Sequence, residues 1–116
     1  MTSAEKQVVD DLVGQGKTVE IIPKDPQSKV KTPDFKVDGV KTELKTLENP
    51  NVNTGITRIQ KGLKQGAEVV IIDGRSAGVT KEQAQEMINR AAGTYSDKTI
   101  PGKVEIWTND GVVTYP

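Results

Sequence analysis

The chain has 116 residues, 34% of them hydrophobic, with one Trp, one Phe and two Tyr; that fits one domain, residues 1–116, with a lean core. It carries no cysteine and no histidine, which excludes disulfides, thiolate metal sites, cysteine nucleophiles, Ser-His-Asp hydrolases and histidine-dependent nucleases. The 16 basic and 16 acidic residues cancel. That counts against a simple polyanion binder, but residues 17–64 hold ten basic and six acidic groups, so a polyanion is expected to meet the protein there.

The chain begins Met1-Thr2-Ser3-Ala4-Glu5. It shows no charged and apolar leader, and no apolar run long enough to span a membrane. A first helix is predicted over about 3–13, with Val8, Val9, Leu12 and Val13 as its apolar stripe and Gly14 and Gly16 ending it. Thr18 to Ile22 reads as a strand, and Pro23 to Lys31 as a polar loop.

The stretch Pro33-Asp-Phe-Lys-Val-Asp-Gly-Val-Lys-Thr-Glu-Leu-Lys-Thr46 is the most informative. Asp38-Gly39 between alternating residues predicts a tight hairpin. With those two residues as the turn, Val37 faces Val40, Lys36 faces Lys41, Phe35 faces Thr42, and Asp34 faces Glu43. Phe35, Val37, Val40, Thr42 and Leu44 then share one face. Asp34, Lys36, Lys41, Glu43 and Lys45 share the other.

A second helix is predicted over about 55–65, with Ile56, Ile59 and Leu63 on one side. Val69 to Asp73 follows as a buried strand. A third helix covers about 81–92, opened by a Thr80/Gln83 capping box. Lys103–Thr108, a turn at Asp110-Gly111, and Val112–Tyr115 close the chain as a hairpin. The order αβββαβαββ makes an α/β protein of the mixed-sheet α+β kind, with helices packed on the sheet.

Without histidine or cysteine, hydrolytic chemistry must rest on carboxylates, lysine and an oxygen-loving cation. Opposed side chains on a hairpin have Cβ atoms about 4.5–5.5 Å apart, and like charges there repel. A divalent cation between Asp34 and Glu43 reverses that sign. The expected metal is Mg2+, or a similar cation such as Mn2+, held by Asp34, Glu43 and the Leu44 carbonyl. Such a metal polarises a phosphate oxygen and acidifies a bound water. Lys45, on the same face, orients that water or stabilises developing negative charge. Arg58, Lys61 and Lys64 lie away from the apolar stripe of the second helix and are candidate phosphate contacts. Thr46 continues the strand toward the same cleft. Structural readings stand beside these. Asp34 can start a turn after Pro33, Glu43 and Lys45 can be solvated strand residues, and Arg58, Lys61 and Lys64 can be a wet helix face. Asp73 reads as a turn or cap residue, and Trp107 and Tyr115 as packing.

Pro33-Asp34, a short hairpin and Glu43-Leu44-Lys45 resemble the PD-(D/E)XK nuclease superfamily, whose restriction-endonuclease-like core is αβββαβ. On that resemblance the third helix and the C-terminal hairpin are additions. Members often carry a glutamate on the first helix some eleven residues before a helix-ending glycine, as Glu5 stands before Gly16; a capping box with Thr2 accounts for Glu5 equally. The resemblance further implies that Gln60 and Gln65, on the helix after the Glu-x-Lys strand, reach the site. Archaeal Holliday-junction resolvases look similar.

A closer resemblance, over residues 3–73, is to the C-terminal tRNase toxin domains of CdiA-type contact-dependent growth inhibition proteins and related polymorphic toxins. It rests on Pro33-Asp34-Phe35-Lys36-Val37-Asp38-Gly39, Glu43-Leu44-Lys45 and Val69-Val70-Ile71-Ile72-Asp73. It implies a tRNA-cleaving toxin with a cognate immunity protein as partner, monomeric apart from that complex. It also implies a fragment delivered from a secreted or cell-surface protein into the target-cell cytoplasm. The alternatives are a DNA endonuclease of the resolvase or restriction type, and a catalytically inactive module that binds protein.

Overall fold

The computed structural model describes residues 3–21 and 35–115. Three helices and six strands follow in the predicted order: α1 (Ser3–Gly14), β1 (Val19–Ile21), β2 (Phe35–Val37), β3 (Val40–Thr46), α2 (Val52–Lys64), β4 (Val69–Asp73), α3 (Lys81–Gly93), β5 (Lys103–Thr108) and β6 (Gly111–Tyr115). The six strands form a single mixed sheet in chain order, β1 to β6. The β3–β4 and β4–β5 pairs are parallel, and the outer pairs are antiparallel. Parallel neighbours need a crossover, and α2 and α3 supply the two.

Alternation along the strands divides the core into two layers. Val70, Ile72, Val104 and Ile106 point to one face and pack with Ile59 of α2 and Met87, Ile88 and Ala91 of α3. Phe35, Val37, Leu44, Ile71 and Trp107 point to the other and pack with Val8 and Leu12 of α1. The lean composition suffices because most of the large aliphatic residues among those described serve one of these layers; Leu12, Ile59, Val70, Ile72, Met87 and Ile106 are fully buried. Among the described residues no helix is long and apolar enough to cross a membrane.

The hairpin takes the predicted register, Val37↔Val40, Lys36↔Lys41 and Phe35↔Thr42. Asp38 and Gly39 both have positive φ, 51° and 82°, the backbone that a two-residue turn between twisted strands requires. Asp38 also fastens β1. Its carboxylate accepts the Thr18 N–H at 2.8 Å, and its own N–H donates to the Thr18 carbonyl.

Two boundaries depart from the sequence reading. Helix α2 begins at Val52, three residues before the expected Gly55. Asn51 is its N-cap, accepting the Asn53 N–H at 2.9 Å, and a polar run rich in asparagine conceals which one caps. The last turn is Asn109-Asp110 rather than Asp110-Gly111, because Gly111 already pairs with Thr108. The Thr108 hydroxyl settles it by donating to the Gly111 carbonyl at 2.7 Å and accepting the Asp110 N–H at 3.2 Å. The capping box of α3 forms as expected, Thr80 and Gln83 exchanging hydrogen bonds.

Candidate functional site

Glu43 lies in the middle of β3, on the α2 face of the sheet. Its side chain is 1% exposed. The expectation of a carboxylate on an open hairpin face is corrected here, because α2 lies across it. Gly62 makes that approach possible: a Cβ there would stand 3.4 Å from the Glu43 Cβ and 2.7 Å from Val70 Cγ2. A glutamate is rarely buried to this degree unless something compensates its charge. Lys45, two residues on and therefore on the same face, places Nζ 3.4 Å from Glu43 Oε1. Lys45 keeps 31% of its side chain exposed, so the pair runs from a covered carboxylate to a cation that solvent and ligands can reach.

The Leu44 carbonyl is turned the right way for a ligand. The Lys41 carbonyl accepts from Glu68 N–H, and the Leu47 N–H donates to the Asp73 carbonyl. The backbone groups of the odd residues of β3 thus face β4, and those of Leu44 face the β2 side. Described β2 begins at Phe35. Asp34, the expected partner of Glu43, lies outside the described residues. Among the described residues no three acidic, histidine or cysteine side chains gather as a metal-binding group. The donors present, a carboxylate and a backbone carbonyl beside a lysine, suit a hard divalent cation.

Glu5 belongs to the opposite face of the sheet. It sits half-buried in the first turn of α1, the helix that packs on the Leu44 side. Thr46 also leaves the expected cleft. Strand alternation turns it away from Glu43 and Lys45, and its Oγ1 is buried without a hydrogen-bond partner among the described residues.

The residues of α2 divide between two flanks. Gln60 Nε2 donates to Thr94 Oγ1 at 3.2 Å, and Arg90 of α3 donates to Asn53 Oδ1 at 3.0 Å. These bonds fix α3 beside the Asn53–Gln60 flank. Gln60 therefore does not join Glu43, contrary to expectation, and Lys64 lines the same far groove. By helical periodicity Arg58 and Gln65 stand one turn before and after Gly62, on the opposite flank. Lys61 is exposed. Lys36 and Lys41, directly paired, share the sheet face of Glu43. Two lysines opposed on a ladder repel; Glu20, paired with Lys36 from β1, offsets part of this.

Asp73 forms an Asx turn, accepting the Arg75 N–H at 3.0 Å, and also a cluster that the sequence did not announce. The Arg75 guanidinium bonds Asp73 at 2.9 Å and Asp11 of α1 at 2.7 Å. It also lies 4.9 Å from the centre of the Trp107 ring. The hydrogen bond to Asp73 above all, with burial opposing, holds the Arg75 pKa above its ordinary value. The 64-residue separation between Asp11 and Arg75 hides this cluster from any local pattern.

The sequence model for the contact-dependent growth inhibition CdiA C-terminal domain matches residues 31–113, most of the chain and all of β2 through β5. The chain belongs to the CdiA C-terminal domain family. Its role therefore lies in contact-dependent growth inhibition. Comparison with curated proteins gives no significant match. Among solved structures, the chain is similar to one of the "CdiA-CT/CdiI toxin and immunity complex from Burkholderia pseudomallei". The TM-score is 0.65 at 20% identity, covering 96% of this chain and 80% of that one. At that identity the likeness concerns the fold, and it extends to the N-terminal helix that lies before the family match.

Proposed function

We propose that this CdiA C-terminal domain is a toxin that inhibits a target cell as a metal-dependent nuclease, with tRNA as substrate. The observation that carries the reading is the buried Glu43 beside the half-exposed Lys45, on a face where Lys36, Lys41, Arg58 and Lys61 supply positive charge. A polyanion relieves the Lys36–Lys41 repulsion that the fold otherwise tolerates. Its phosphodiester oxygens are attracted to the edge at which Lys45 opens to solvent.

Asp34, Glu43 and the Leu44 carbonyl would hold magnesium or manganese, with Glu5 as a further acidic group. When bound, such a cation polarises a phosphate oxygen and lowers the pKa of a coordinated water. Lys45 orients the attacking water and stabilises charge developing on the phosphate. Burial under α2 excludes bulk water from the Glu43 carboxylate. The basic flank of α2 positions the substrate backbone.

The fold shared with a chain of a toxin–immunity complex supports a cognate immunity protein as partner. Family membership supports delivery of this domain from a larger cell-surface protein into the target cytoplasm.

The test incubates the purified chain with total tRNA and, separately, duplex DNA, in magnesium or EDTA, alongside Asp34→Ala and Glu43→Gln. The reading expects tRNA cleavage that needs magnesium and both carboxylates. DNA cleavage with the same dependence moves the substrate and keeps the site. Cleavage that survives EDTA or Asp34→Ala overturns the metal mechanism, and no cleavage of either substrate overturns the nuclease reading.

A further inference from the structure

Across α2 from Glu43 lies a groove of about 400 Å³ lined by Gln60, Leu63, Lys64, Thr94, Tyr95 and Pro101. Its walls are of two kinds. Leu63, Pro101 and the half-buried ring of Tyr95 supply apolar surface. Burial raises the Tyr95 phenol pKa above its ordinary value, so the ring is neutral at physiological pH. Gln60, Thr94 and Lys64 supply polar groups. Among the described residues lining the groove there is a lysine and no carboxylate.

The hydrogen bonds fix which way the Gln60 amide points. The Thr94 hydroxyl donates its single proton to the Ala91 carbonyl at 2.6 Å. Toward Gln60 it can only accept, so Nε2 must face it, and does so at 3.2 Å. The amide Oε1 and the second Nε2 hydrogen are left for another partner. A glutamine amide presents an acceptor and a donor side by side, the pattern that complements adenine N6–H and N7.

We infer that this groove is a nucleotide subsite that takes an unstacked adenine of the substrate, its ring against Tyr95, its edge on Gln60 and its phosphate beside Lys64. The inference rests on the nuclease reading and adds a base-recognition function that the basic flank of α2 cannot supply, since phosphate contacts carry no sequence information. Stacking on one aromatic and one amide contact suits a single-stranded nucleotide, such as one in a loop or end of a folded RNA.

The experiment titrates the full chain with adenosine 5′-monophosphate and, separately, inorganic phosphate, following side-chain amide and aromatic resonances by NMR. The expected result is that the nucleotide, and not phosphate alone, shifts the Gln60 amide, Thr94 and the Tyr95 ring. Gln60→Ala should weaken binding about tenfold, and Tyr95→Ala, which removes the stacking ring, should weaken it by a similar factor. In tRNA cleavage Gln60→Ala should raise KM with kcat unchanged. Shifts caused equally by phosphate, absence of shifts in the groove, or unchanged binding in Gln60→Ala each overturn the subsite. If the wild-type chain cleaves nothing but the nucleotide still occupies the groove, the nuclease reading fails and the subsite stands. If it cleaves tRNA and Gln60→Ala keeps the wild-type KM, the subsite alone fails.

Discussion

Gly62 lies over Glu43 and Val70 so closely that an added methyl would touch the first and clash with the second: the position a Cβ would take is 3.4 Å from the Glu43 Cβ and 2.7 Å from Val70 Cγ2. Gly62→Ala must push α2 away from β3 or displace Val70 from the core. Overpacking of this kind costs about 1–3 kcal/mol, so the Tm should fall by several degrees. Cleavage should fall more than the stability loss alone explains, because the cover over Glu43 opens. Thermal unfolding and a cleavage assay well below the Tm separate the two effects. An alanine variant with wild-type Tm and activity would show that α2 does not depend on this approach.

The Glu43–Lys45 pair predicts an asymmetric response to substitution. Lys45→Ala leaves a carboxylate with 1% exposure beside a missing cation and should cost stability as well as activity. Glu43→Gln keeps the shape and removes the charge, so it should fold near normally while losing cleavage by about a hundredfold or more. Circular dichroism melts beside cleavage rates check this. Full activity in Glu43→Gln would remove Glu43 from the chemistry.

Arg75 is the tie between α1 and the ends of β4 and β5. Replacing it with alanine leaves Asp73, 5% exposed, without its guanidinium partner, a loss of about 1–3 kcal/mol. Asp11→Asn should cost less, because Asp11 is 38% exposed at its side chain. Denaturant unfolding would show the order Arg75→Ala below Asp11→Asn below wild type; equal stabilities would mean that α1 docks through Val8 and Leu12 alone.

Tyr95 predicts an alkaline effect. Its pKa is raised in the fold by burial, so the folded state holds the proton longer than the unfolded chain. The stabilisation is fully present below the ordinary tyrosine pKa and is lost as pH rises through the folded value. Tyr95→Phe should flatten that part of the alkaline stability loss. Ultraviolet titration of tyrosinate should lose the Tyr95 component in the same variant. A variant that loses stability at high pH as steeply as wild type would assign the effect to other groups.

Much of the layout was legible because it is local. Asp38-Gly39 fixes the hairpin register within a few residues, and the Thr80/Gln83 box fixes the start of α3. The run Val69–Asp73 announces a central strand. Strand alternation likewise puts Glu43 and Lys45 on one face, but cannot say that a helix covers it; that depends on Gly62, nineteen positions away. The same alternation sends Thr46 to the opposite face, a step that the sequence reading did not carry through. Gln60 turns to Thr94 because α3 lies on that flank, which helical periodicity alone leaves open. The Arg75 cluster and the Tyr95 groove join residues distant in the chain, and no spacing signals them. Asp34, on which the metal reading leans most, lies outside the described residues.

The order of the strands in the sheet is the order of the strands in the chain. No strand has to be slipped between two that are already paired, and no segment must wait for the far end of the polypeptide before finding its neighbour. A chain presented one end first can therefore grow its sheet by accretion, each new strand closing against the last only the segment between them, a tight turn at the hairpins and a helical crossover at the parallel pairs. The loop-closure entropy of each addition grows only slowly with the length of that segment, and the two parallel pairings, with their helical crossovers, are the slower steps.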